Sequence, residues 1–130
     1  MNRSYQAWLV TVLTCLVSCT EADQPEPEPL ASIMWETTPT ETTTVDDAIA
    51  AAWTVETEGD VHICELRACK GMVEDCGLDG DDDASAIASE MGGSYETELL
   101  LPEPGTWTVV AWAHVDTEPY ISEAVLVTVQ

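Results

Sequence analysis

Phenylalanine is absent from this chain of 130 residues, and Lys plus Arg together number only 3. Without Phe, any core must draw its volume from Trp and aliphatic side chains. The few bases face 25 acids, for a net charge of -22 at pH 7. No basic patch can be assembled from them. Nucleic acid and anionic lipid surfaces would repel such a chain, so no nucleic-acid partner is expected. Long apolar runs are also missing. The longest extends from Ala7 to Val17, and a membrane-spanning helix needs roughly twenty residues. The chain has no Gly-x-Ser-x-Gly, no His-Glu-x-x-His and no phosphate-binding Gly loop. Gly92-Gly93-Ser94 precedes a strand pattern and reads as a turn. Carboxylates adjoin one another everywhere in so acidic a sequence, so their pairing carries no weight for acid–base catalysis. A non-catalytic protein is expected.

Hydrophobic residues make up 45% of the chain, too many for a disordered acidic polymer. Part of it must fold. The N-terminus sets Arg3 and the start amine before the Ala7–Val17 run, which is the pattern of a secretory signal rather than an anchor. The run ends in Leu16-Val17-Ser18-Cys19. This resembles the lipobox of bacterial lipoproteins. The resemblance implies cleavage after residue 18 and a diacylglyceryl group on the Cys19 thiol. It implies a membrane partner through that lipid anchor and a place in the cell envelope. Thr20, where an Asp would favour inner-membrane retention, implies the outer membrane of a Gram-negative bacterium. Residues 1–18 are then the signal. Residues 19–30 are a tether whose alternating Pro and Glu can enter neither helix nor sheet ladder.

Residues 31–130 read as short strands separated by turn chemistry. Ile33–Glu36 is apolar and brief. Ala48–Thr57 sets Ile49, Ala51, Trp53 and Val55 on one face. Val61–Ala68 follows a tight Glu58-Gly59-Asp60 turn. Tyr95–Leu101 alternates Tyr95, Thr97, Leu99 and Leu101 inward with Glu96 and Glu98 outward. Thr106–Val115 turns Trp107, Val109, Ala111 and Ala113 to one side, and Ile121–Gln130 closes the chain. Such spacing predicts an all-β sandwich, with Trp35, Trp53 and Trp107 supplying core volume.

Glu103-Pro104-Gly105-Thr106-Trp107-Thr108-Val109-Val110-Ala111-Trp112-Ala113 is similar to the penultimate strand of immunoglobulin-like domains of the fibronectin type III and PKD classes. The final run Ala124 to Val129 fits as well. The resemblance implies an immunoglobulin-like β-sandwich, with Trp107 packed under the preceding corner. About function it implies only a binding or structural module, whose partner would be a protein or a glycan.

An exported domain faces an oxidising compartment, so its cysteines should pair. If Cys69-Lys70-Gly71 forms a three-residue hairpin loop, Cys64 stands directly opposite Cys76, close enough to bridge. Some bacterial immunoglobulin-like domains carry a similar pair. Cys69–Cys76 is the alternative. A zinc site built from His62, Cys64, Cys69 and Cys76 has suitable ligand types, but no Cys-x-x-Cys core.

Two further features are candidate sites. Asp79, Asp81, Asp83 and Glu90 fall at offsets 1, 3, 5 and 12 of a calcium loop, so Ca²⁺ is a candidate ligand. Ala84 stands where that loop needs Gly for its bend. If Trp107 faces the core, alternation also turns Trp112 and His114 outward, and Tyr120 follows nearby. These three would form a contact patch.

Overall fold

The computed structural model describes residues 30–130. The signal, the lipobox with Cys19, and the tether up to residue 29 lie outside the described residues. Ten strands form: β1 (Ala31–Thr37), β2 (Thr42–Thr43), β3 (Ile49–Thr57), β4 (Val61–Lys70), β5 (Ala84–Ile87), β6 (Ser89–Met91), β7 (Ser94–Leu99), β8 (Gly105–Val115), β9 (Glu118–Ile121) and β10 (Val125–Val129). No helix occurs among the described residues.

The strands make two sheets. One has the order β1-β3-β7-β6, the other β2-β10-β8-β4-β5, with β9 also paired to β8. All pairs are antiparallel except β2 with β10. The chain changes sheets between β1 and β2, β2 and β3, β3 and β4, β5 and β6 (at Ala88), and β7 and β8. An opening strand whose continuation joins the second sheet, and a central β8 flanked by β4 and β10, give the strand order of an immunoglobulin-like sandwich.

Alternation built the core as the sequence implied. Ile49, Ala51 and Trp53 on β3 meet Leu66 and Ala68 on β4, and Trp107, Val109, Ala111 and Ala113 on β8. Trp53 stands edge-on to Trp35, with ring centroids 6.1 Å apart, and stacks on Tyr95 at 6.5 Å. Trp35 is only half-buried, and its indole N–H donates to the Glu123 carbonyl at 2.9 Å. Trp107 lies under the corner before β8 and donates to the Glu103 carbonyl at 2.9 Å.

The elements that composition did not reveal are the short ones. The closing strand expected over Ile121–Gln130 is split. After the Asp116-Thr117 turn, β9 pairs with the far end of β8 and β10 with its near end. Asp116 takes a φ of 54°, a region an Asp side chain tolerates. Its carboxylate accepts from the Asp60 N–H at 3.0 Å, tying the two turns at that end together. Between β9 and β10, Ser122 completes the ladder with its side chain. Its hydroxyl accepts from the Ala111 N–H and donates to the Glu123 carbonyl, both at 2.9 Å. β2, β5 and β6 have two to four residues each, too few to show a period.

Candidate functional site

The features singled out in the sequence converge on β4 and β8, the centre of the larger sheet. Successive residues of a strand point to opposite faces. Cys64, Leu66 and Ala68 therefore enter the sandwich core, while Glu65, Arg67 and Cys69 face outward. Cys64 and Cys69 are five positions apart, an odd number, so they cannot share a face.

That parity decides the disulfide. Cys69 bonds to Cys76, with a Cα–Cα distance of 5.9 Å. Cys64 is a free, buried thiol. The Cys64–Cys76 pairing expected from a hairpin is thus corrected. No hairpin forms at Lys70, because β4 pairs instead with β5, Ala68 opposite Ala84. Residues 71–83 form a long excursion folded back over the outer face of the sheet. With Cys69 and Cys76 joined to each other, the zinc arrangement is overturned too. His62 also leaves the set. A register shift between Val61 and Ile63 turns it outward, its ring 5.8 Å from His114.

The excursion is fastened at several points. The Gly71 N–H donates to the Thr106 carbonyl at 2.7 Å, and the Val73 N–H to the Thr108 hydroxyl at 3.0 Å. The Thr108 hydroxyl in turn donates to the Gly71 carbonyl at 2.6 Å. Thr108 is buried, and these bonds satisfy it. Farther along, Arg67 rises from β4 and donates to the Gly77 carbonyl at 2.7 Å. Gly77 has a φ of 74°, and a Cβ there would stand 3.0 Å from the Arg67 side chain, so only glycine fits without displacement. Cys69, Cys76 and Val110 form a small apolar cluster beneath the loop, with Ile121 at its margin.

Arg67 also explains Trp112. Its guanidinium carbon lies 3.7 Å from the Trp112 ring centroid, a cation–π contact. Glu65 holds the same guanidinium at 3.0 Å, and Asp82 lies 3.9 Å away. Trp112 is only 7% exposed as a result. The contact patch expected from Trp112, His114 and Tyr120 is corrected accordingly. Trp112 and His114 do share the outer face, with rings 6.0 Å apart. Tyr120 stands opposite Ala113 in the ladder and packs against the main core. One member is therefore covered and another faces the opposite way.

The proposed calcium ligands are likewise separated. The Asp83 carboxylate accepts from the Lys70 N–H at 2.9 Å, closing the loop onto the end of β4. Asp79 and Asp81 remain on the excursion. Glu90 lies on β6, in the other sheet, where its carboxylate accepts from the Gly93 N–H at 3.0 Å within a tight turn. No group of three His, Cys, Asp or Glu side chains among the described residues is placed to hold a metal ion. The calcium arrangement is corrected on that ground. The chain leaves the larger sheet at Ala88 and enters the four-stranded one, which carries Glu90 away from the aspartates.

A hollow of about 310 Å³ opens where the two sheets part, lined by His62, Cys64, Ile87, Glu90 and Tyr95 among others. Burial pushes the Cys64 thiol up to about 11; the Trp53 side chain offsets part of this, and the charge of Glu90 adds to it. Burial likewise raises the Tyr95 phenol, with Cys64 and Glu90 contributing. A thiol held protonated in this way is not a nucleophile near neutral pH.

Both basic side chains of the described residues are already engaged. Arg67 pairs with Glu65, and Lys70 with Glu103. The remaining surface is acidic, so what the domain offers a partner is negative charge and exposed apolar side chains.

A scan against protein-family models finds no match to this chain, and a search of curated proteins finds no relative.

Proposed function

We propose that this chain is a lipid-anchored envelope protein that presents one non-catalytic immunoglobulin-like module for binding or structural support. The observation that carries this reading is the Cys69–Cys76 disulfide over the outer face of β4 and β8. A structural disulfide belongs to an oxidising compartment, which agrees with an exported chain. The Leu16-Val17-Ser18-Cys19 pattern supports the anchor, and the Pro- and Glu-rich stretch supports a spacer between membrane and domain. Several acyl chains, at roughly 0.8 kcal/mol per buried methylene, would hold the protein at a membrane stably. The Thr20 position supports the outer membrane. The partner of the module is a protein or a glycan.

The test is acylation in a bacterial host. Cells fed a labelled fatty acid should incorporate label into the protein, and the protein should sediment with membranes. Cys19→Ala should abolish both. An unlabelled wild type would remove the anchor from this reading, and label retained in Cys19→Ala would remove Cys19.

A further inference from the structure

The excursion that covers the outer face also exposes apolar side chains. Met72 is 78% exposed and Val73 38%, and Leu126 on the neighbouring β10 is 45% exposed. With Ala124, Thr108 and Glu74 they line a groove of about 260 Å³. Of the eight exposed large hydrophobic residues among the described ones, three meet here. They are not at a loose loop tip. The Cys69–Cys76 bond, the Gly71–Thr106 bond and both Thr108 bonds fasten the segment on either side of Met72 and Val73. A fixed apolar surface gives up little conformational entropy on binding.

Charge selects the occupant. Glu74 lines the groove, and Asp75 follows it in the chain. Neither is in an ion pair among the described residues, and no Lys or Arg lines the groove. A second copy of so acidic a chain would be repelled. So would the chain's own residues 20–29, which contain Glu21, Asp23, Glu26 and Glu28 and no base. We propose that the Met72–Val73–Leu126 groove docks a cationic amphipathic polypeptide segment. Its apolar side chains would enter the groove, and its Lys or Arg would meet Glu74 and Asp75. This deepens the binding-module reading and rests on it.

The test uses the full chain and a fluorescent peptide of alternating Leu and Lys. Polylysine and a Leu–Glu alternating peptide serve as comparisons, all read by anisotropy. The Leu–Lys peptide should bind at least about tenfold more tightly than either comparison. The double variant Met72→Ser, Leu126→Ser should lose at least about tenfold in affinity for it while keeping its melting temperature. Met91→Ser, an exposed methionine on β6, should change nothing. Equal binding by the double variant, or polylysine binding as well as the Leu–Lys peptide, would overturn the proposal. So would a Leu126-dependent dimer in sedimentation, which gives the groove to a second copy, or Leu126-dependent binding to phosphatidylcholine vesicles, which gives it to lipid. The module reading is judged separately, by photo-crosslinkers placed at Met34 and Ile87, away from the groove. Capture there in intact cells would keep that reading after the groove proposal had failed, and no capture at any exposed site would remove both.

Discussion

The two faces of the β4–β8 pair are built from the same strands and held by different means. The inner face is closed by apolar side chains alone, Leu66, Ala68, Val109, Ala111 and Ala113 against the opposing sheet. The outer face has no second sheet. It is covered by residues 71–83 through one disulfide, a buried threonine, and an arginine laid over a tryptophan. Hydrophobic burial is non-directional and tolerates imprecise partners. The outer cover depends on a few directional contacts, each made by one side chain. The first kind of face makes the fold, and the second kind shapes what the fold displays.

Substitutions can be ordered by how hard they strain that contrast. Trp53→Ala should cost most, about 3–5 kcal/mol, because it empties the centre of the core. Denaturant unfolding should show the loss across the whole domain, with no protected remnant. Cys76→Ala should cost about 2–3 kcal/mol, as expected for a short closed loop. Its effect should be local as well. Trypsin should cut after Lys70 faster in the variant while the sandwich persists, and reductant should lower the wild-type melting temperature but not the variant's. An equal loss of protection in both sheets would erase the distinction between the faces. Arg67→Lys should cost about 1–2 kcal/mol despite keeping the charge, since an ammonium cannot both cover Trp112 and reach the Gly77 carbonyl. Trp112 fluorescence should shift to the red as water reaches the ring.

The smallest effect concerns Cys64 and pH. Its folded pKa is raised from 9.0 to about 11. A raised value means the folded state keeps a proton that the unfolded chain releases. Stability from this group is complete below pH 9 and declines as pH rises toward about 11. Cys64→Ala should flatten the alkaline limb of the stability curve, measured by denaturant midpoints. A thiol reagent at neutral pH should find one fewer group in Cys64→Ala only after denaturation.

The inner face was legible in the sequence and the outer face was not, for a physical reason. Trp107, Val109, Ala111 and Ala113 repeat at period two, and so do Ile49, Ala51 and Trp53, so the core could be read directly. The cover over the outer face comes from the segment between Gly71 and Asp83, which has no period at all. Its path is set by contacts with residues distant in sequence, Thr106 and Thr108. A hairpin after Cys69 therefore looked reasonable and led to the wrong cysteine. The parity of Cys64 and Cys69 was present in the sequence and would have excluded a shared outer partner. The exposure of Trp112 failed similarly: alternation placed it outward, and nothing local showed that Arg67 would lie across it. The apparent calcium ligands were adjacent in sequence but divided by a sheet crossing at Ala88.

Cysteine connectivity tests the cover most directly. The chain's basic residues are Arg3, Arg67 and Lys70, so trypsin separates all three cysteines of the domain. Non-reducing digestion and mass spectrometry should find the tripeptide Ala68-Cys69-Lys70 attached to fragment 71–130 and released by reductant. In the proposed mature chain, with its Cys19 thiol lipidated, fragment 19–67 attached to 71–130, with the tripeptide free, would place Cys64 on the bond and contradict the account.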